Sequence, residues 1–157
     1  MKNTRFENSF KSIFGDQIGI SSKGESFFQD FYTLFTSRSE EISDLFARTD
    51  MSRQIAMVKA SLYQMVTFYA SGVLTESMRG TARAHEHLNI PPQLYDIWLD
   101  CLIEAVALHD PVFDEKTELA WRLALSPGIT FMKLACENSI RPLEEEKARD
   151  HTPRARE

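Results

Sequence analysis

A chain of 157 residues is long enough to bury one real core and short for two ordinary domains. Its formal charge of −5 and the lack of any basic stripe argue against nucleic acid as a partner. No run approaches the roughly 20 apolar residues of a membrane span, and MKNTRFENSFKSIFG lacks the apolar centre of a signal peptide, so no membrane partner and a cytoplasmic location are expected.

In chain order the pattern is helical throughout. RFENSFKSIF puts Phe6, Phe10, Ile13 and Phe14 on one face. Gly15 and Gly19 mark a break, after which Ser21 or Ser22 can cap a helix with the wide stripe Phe27, Phe28, Phe31, Tyr32 and Phe35. EEISDLF is a short amphipathic element ending at Phe46. Asp50 is placed to cap a long helix that Gly72 ends. TESMRGTARAHEHL has weaker apolar character and is stopped by Pro91 and Pro92, which open the next helix, with Leu94, Ile97, Trp98, Cys101, Leu102, Ala105 and Val106 inward. The last helix is expected to kink or restart at Pro127-Gly128. The alternation and turn signals of strands are missing. The expected architecture is all-α, six to eight helices around one core, with residues 1–140 as a single domain and 141–157 as a mobile charged tail.

Most familiar chemistry is excluded by residue type and spacing. The glycines are isolated, so no phosphate-cradling loop is present. No histidine sits three residues after a glutamate, as a di-iron bundle requires. HEHLN begins like a zinc-protease motif but has Asn89 where the second histidine belongs. Cys101 and Cys136 lie in separate helical patterns with no Cys-x-x-Cys partner, and read as two reduced thiols rather than a disulfide or reactive pair. His85 and His87, two residues apart on a helix, point to nearly opposite sides and form no shared chelate. A lone helical histidine is ordinarily a hydrogen-bonded or solvated side chain.

The order of five features changes that reading. FYTLFTSRSEEISDLF, then QIAMV, then HEHLNIPPQLY resembles the globin family, above all bacterial single-domain globins and the haem domains of flavohaemoglobins, over roughly residues 6 to 135. The resemblance implies a globin-like fold around haem b. His85 would be the proximal iron ligand, because the pattern H-x-x-x-x-[IV]-x-P-x-x-Y aligns His85 with Ile90 and Tyr95, and leaves His87 pointing away. Tyr32 would be the distal phenol, with Gln54 a second donor, Val58 shaping the pocket and Phe46 wedging the haem. Matching Phe35 to a later aromatic of the family would move the distal position to Phe31 instead. Phe46 and Val58 also read as ordinary core, and Tyr95 as an aromatic packing at the start of a core helix. In flavohaemoglobins the counterpart of Tyr95 joins a network with a carboxylate of the last helix, for which Glu137 is the candidate here.

The implied ligands are dioxygen, nitric oxide and carbon monoxide. The implied functions are reversible gas binding, for storage, delivery or sensing, and oxidation of nitric oxide to nitrate. The latter needs a separate reductase, since no flavin or nicotinamide region follows the globin-like stretch. The alternative from another class is a haem-free regulatory or interaction module of globin fold, against which the retained His85 counts. The oligomeric state, including a homodimer, is left open.

Overall fold

The computed structural model describes the backbone of residues 2–15 and 23–150, and within those every side chain except at 23 and 137–150. Seven helices occur among the described residues, and no strand: α1 (Thr4–Phe14), α2 (Lys23–Thr36), α3 (Glu40–Phe46), α4 (Met51–Ser71), α5 (Glu76–Glu86), α6 (Pro92–His109) and α7 (Glu115–Asp150). Local signals set most boundaries. Asn3, Ser39, Asp50 and Thr75 each accept a backbone N–H at the start of α1, α3, α4 and α5. Gly72 closes α4 in the left-handed conformation, φ 69°, that a side chain would strain. Pro91 and Pro92 begin α6, where a missing N–H costs nothing. The expected caps Ser21 and Ser22 lie outside the described residues.

The core is heavily aromatic. Phe27, Phe28, Phe31, Trp121, Leu62 and Leu102 are fully enclosed. Phe31 stacks on Phe35 at 5.7 Å and meets the edge of Trp98 at 5.5 Å, which locks α2 onto α6. One buried polar link is fully partnered: Trp121 Nε1 donates to Ser9 Oγ at 2.9 Å, and Ser9 Oγ donates to Asp110 Oδ2 at 2.6 Å. It ties α1 and α7 to the turn after α6. Both cysteines are buried and neither forms a disulfide. Among the described residues no helix is long and apolar enough to cross a membrane.

Of the two outcomes expected at Pro127-Gly128, a kink or a restart, the restart does not occur. α7 runs unbroken through Pro127 and Gly128 and packs on α1, α4, α5 and α6. Pro127 removes one helical donor, while the Ser126 hydroxyl donates to the Arg122 carbonyl one turn back. Gly128 has a tertiary role: a Cβ there would lie 2.6 Å from Met65 Cγ and 3.4 Å from Met78 Cε. The glycine lets α7, α4 and α5 meet closely at one point, and that packing outweighs the local tendency to break. The backbone continues helical to Asp150, into the stretch expected to be a tail. Mobility of 141–157 concerns side chains, and from 151 backbone, outside the described residues.

Gly128→Ala is expected to cost about 1–3 kcal/mol, the range for overpacking a tight contact. Gly80→Ala in α5, where a Cβ meets only the flexible end of Arg83 at 3.9 Å, is expected to gain about 0.5–1 kcal/mol from helix propensity. Urea denaturation midpoints at unchanged slope measure both; equal effects of the two substitutions would refute the close-approach role of Gly128.

Candidate functional site

His85 lies in the last turn of α5, half-buried, with its Nδ1 2.8 Å from the carbonyl oxygen of Thr81. A carbonyl only accepts, so Nδ1 carries a proton, and in the neutral imidazole Nε2 is the nitrogen that keeps its lone pair. Helix geometry supplies this bond, since Thr81 is one turn back on the same face. After α5 the chain turns through Asn89, at φ 50°, a conformation asparagine tolerates better than most residues. His87 is exposed beyond the helix end. The spacing argument that separated the two histidines thus coincides with a difference in burial.

Tyr95, in the first turn of α6, packs beside His85, with ring centroids 6.3 Å apart. Its hydroxyl is buried and has no hydrogen-bond partner among the described residues. Burial, reinforced by the nearby Cys136 thiol, pushes its pKa up to about 12. Cys136, on α7, donates to the Ile90 carbonyl at 3.1 Å and pins the turn that follows His85. Sequence reasoning missed this contact, because nothing local links Cys136 to Ile90. The Glu137 side chain, the candidate network carboxylate, lies outside the described residues.

A second cluster forms on α2, α3 and α4. The Tyr32 ring meets Phe46 edge-on at 5.8 Å. Gln54 Nε2 donates to the Tyr32 hydroxyl oxygen at 3.1 Å, and the Tyr32 hydroxyl makes only a long contact, 3.5 Å, to the Gln54 backbone carbonyl. Burial pushes the Tyr32 pKa up to about 12, against the lowering effect of Gln54. The phenol therefore stays protonated at neutral pH and keeps a weakly committed proton. Val58 is buried one turn beyond Gln54. Phe31 points elsewhere, into the aromatic contact between α2 and α6. Tyr32, rather than Phe31, is therefore the member of the pair that lies beside Gln54 and Phe46.

The clusters are linked through α4, which carries Gln54 and Val58 and packs on α5, the helix of His85. Among the described residues no group of three or more His, Cys, Asp or Glu is placed to hold a metal ion.

No protein-family model matches the chain, and no curated protein matches it. A solved structure does. A protein of Pseudomonas aeruginosa PAO1, described as structurally highly homologous to a human hemoglobin, is 32% identical with a TM-score of 0.73. The match covers 85% of this chain and 96% of the other. This chain belongs to the globin family. The globin assignment extends over nearly the whole of the relative, so the seven helices form its expected core rather than a local coincidence. Within this globin, the His85 ring is held through Nδ1 by the Thr81 carbonyl, and the Tyr32 hydroxyl makes only a long outgoing contact.

The raised pKa values carry a sign. A phenol whose folded pKa exceeds its unfolded value of 10.0 favours folding fully below pH 10, and that contribution is lost as pH rises toward about 12. Denaturation midpoints are expected to fall steeply between pH 10 and 12, less so in Tyr32→Phe and in Tyr95→Phe. Absorbance titration of tyrosinate should show one fewer late-ionising phenol in each variant; a late phase unchanged in both would contradict the burial argument.

Proposed function

We propose that this globin holds haem b through His85 and binds diatomic gases beside Tyr32. The observation that carries the reading is the His85–Thr81 hydrogen bond, which fixes the tautomer, orients the ring and leaves Nε2 as the available donor atom. The residues present fit the group. A carbonyl acceptor behind the imidazole raises its basicity as a ligand, and the buried surroundings include the aromatic faces of Phe46 and Tyr95. A bound haem would supply the iron that takes up dioxygen, carbon monoxide or nitric oxide.

The remaining work falls to this chain's side chains. Tyr32 is the donor to the gas. Its proton is spent on nothing stronger than a 3.5 Å contact, so turning it toward a polar ligand sacrifices little. Gln54 then acts through Tyr32. Its amide donates to the phenol oxygen, and a donor on that oxygen polarises the O–H and strengthens its outgoing bond. Gln54 was expected as a second donor to the ligand; the geometry supports a supporting role instead. Val58 and Phe46 shape the apolar wall. On the other side Tyr95 and Cys136 hold the His85 ring and the turn after it in place.

A hydrogen bond to a ligand with partial negative charge is worth about 1.5–3 kcal/mol. Retention on that scale suits tight binding, and suits use of the held dioxygen as an oxidant of nitric oxide, with nitrate as product and a separate reductase as the electron source. Residues 1–140 are proposed to act as one unit in this.

The test is an absorption spectrum of protein expressed with haem precursor, in ferric, reduced and carbon-monoxide-bound states. A haem band with a carbonyl shift is expected in the parent and in His87→Ala, and its loss or reshaping in His85→Ala. No haem uptake by the parent protein would overturn the reading in favour of a haem-free interaction module. In Tyr32→Phe the dioxygen release rate measured by stopped flow should rise about ten- to hundred-fold, and in Gln54→Leu by less. An unchanged release rate in Tyr32→Phe would remove Tyr32 from the donor role.

A further inference from the structure

A cleft of about 420 Å³ lies beside Tyr32, between α2, α3 and α4. It is not part of the contact between α4 and α5 and contains neither His85 nor Gln54. Its lining is graded. Gln29, Thr33, Ser43 and Ala47 are exposed and form the rim. Phe46, Met51 and Ile55 are half-buried, and Tyr32, at the bottom, is only 4% exposed. None of the lining side chains is charged. The cleft passes from an uncharged rim to a mostly apolar interior, with Thr36 its one half-buried hydroxyl, and includes the phenol proposed to face the gas.

We propose that uncharged diatomic gases reach Tyr32 through this cleft. The inference rests on the reading of Tyr32 as the gas-binding donor and adds the path. Three observations carry it. The first is chemical: an apolar floor with an uncharged rim admits a small neutral molecule and has no group to hold an ion or a charged metabolite. The second is positional: Tyr32 is shared, since it lines the cleft and its hydroxyl accepts from Gln54, which does not line it. The third concerns the alternative. A gas arriving past Gln54 requires the Gln54 amide to leave the Tyr32 oxygen, which breaks the hydrogen bond that supports the donor. Arrival from the cleft side leaves that bond intact and needs only rotation of half-buried side chains, Phe46 and Met51. Methionine at the floor helps, since its unbranched chain re-packs easily.

The experiment fills the rim from two walls. Ala47→Trp and Thr33→Trp alter exposed positions on either side of the mouth. Carbon monoxide association is followed after flash photolysis of the haem-loaded protein. Each variant should keep the parent's carbonyl band and slow bimolecular association by about five- to ten-fold, the factor expected when the route left open requires a hydrogen bond to break. A normal band with an unchanged rate in both variants overturns the proposed path and leaves the haem reading standing. No carbonyl band in the parent overturns the haem reading and the path with it. A second measurement does not depend on haem reactivity. Methyl NMR of Met51 and Ile55 under xenon pressure should show saturable shifts in the parent that vanish in Ala47→Trp. Shifts that never appear, or that persist in the filled variant, overturn the cleft as a gas site.

Discussion

The close meeting of α7, α4 and α5 at Gly128 is the constraint on which the arrangement depends. A side chain there would overlap Met65 of α4 and press on Met78 of α5. With none, α7 lies against both helices at once. α4 carries Gln54 and Val58, and α5 carries His85, so the packing that sets their separation also sets the separation of the two polar clusters. The same helix reaches α6 and, through Cys136, the turn after His85. A packed interior transmits displacement instead of absorbing it, so a shift at Gly128 is felt at both ends of the site.

Within that frame the polar groups are few, and their surroundings set what each can donate or accept. The Thr81 carbonyl selects the His85 tautomer. Burial keeps Tyr32 and Tyr95 protonated well past the ordinary phenol range. An ionised phenol accepts hydrogen bonds and donates none, so desolvation of Tyr32 preserves its use as a donor. Gln54 opposes that effect in part, because an amide aimed at the phenol oxygen favours the ionised form. The same contact strengthens the outgoing O–H bond, so the cost in pKa accompanies a gain in donor strength.

How much of this was legible varies with how local each signal is. Asp50, Gly72, Pro91 and Pro92 act within one turn of themselves, and the helix ends they mark fall where the sequence places them. Spacing to Ile90 and Tyr95 separates His85 from His87, and the Thr81 acceptor follows from helical register alone. Pro127-Gly128 misleads for the same reason that the other signals succeed. Locally the pair reads as a kink or a restart, but the continuity of the helix there depends on Met65 and Met78, which are distant in the chain. The bond from Cys136 to Ile90 and the alignment of the Gln54 amide with Tyr32 have no local signature at all.

The sequence by itself determined the helical class, the approximate helix ends, the family resemblance and the one histidine with the right neighbours along the chain. These follow from periodicity, capping chemistry and spacing, which are properties of adjacent residues. Only the tertiary structure decided that α7 continues through its proline, that Tyr32 rather than Phe31 faces Gln54, that the Gln54 amide donates to the phenol, and that Tyr32 also lines an uncharged cleft. Each of those depends on which side chain occupies the space between two helices, and that space exists only once the helices have packed.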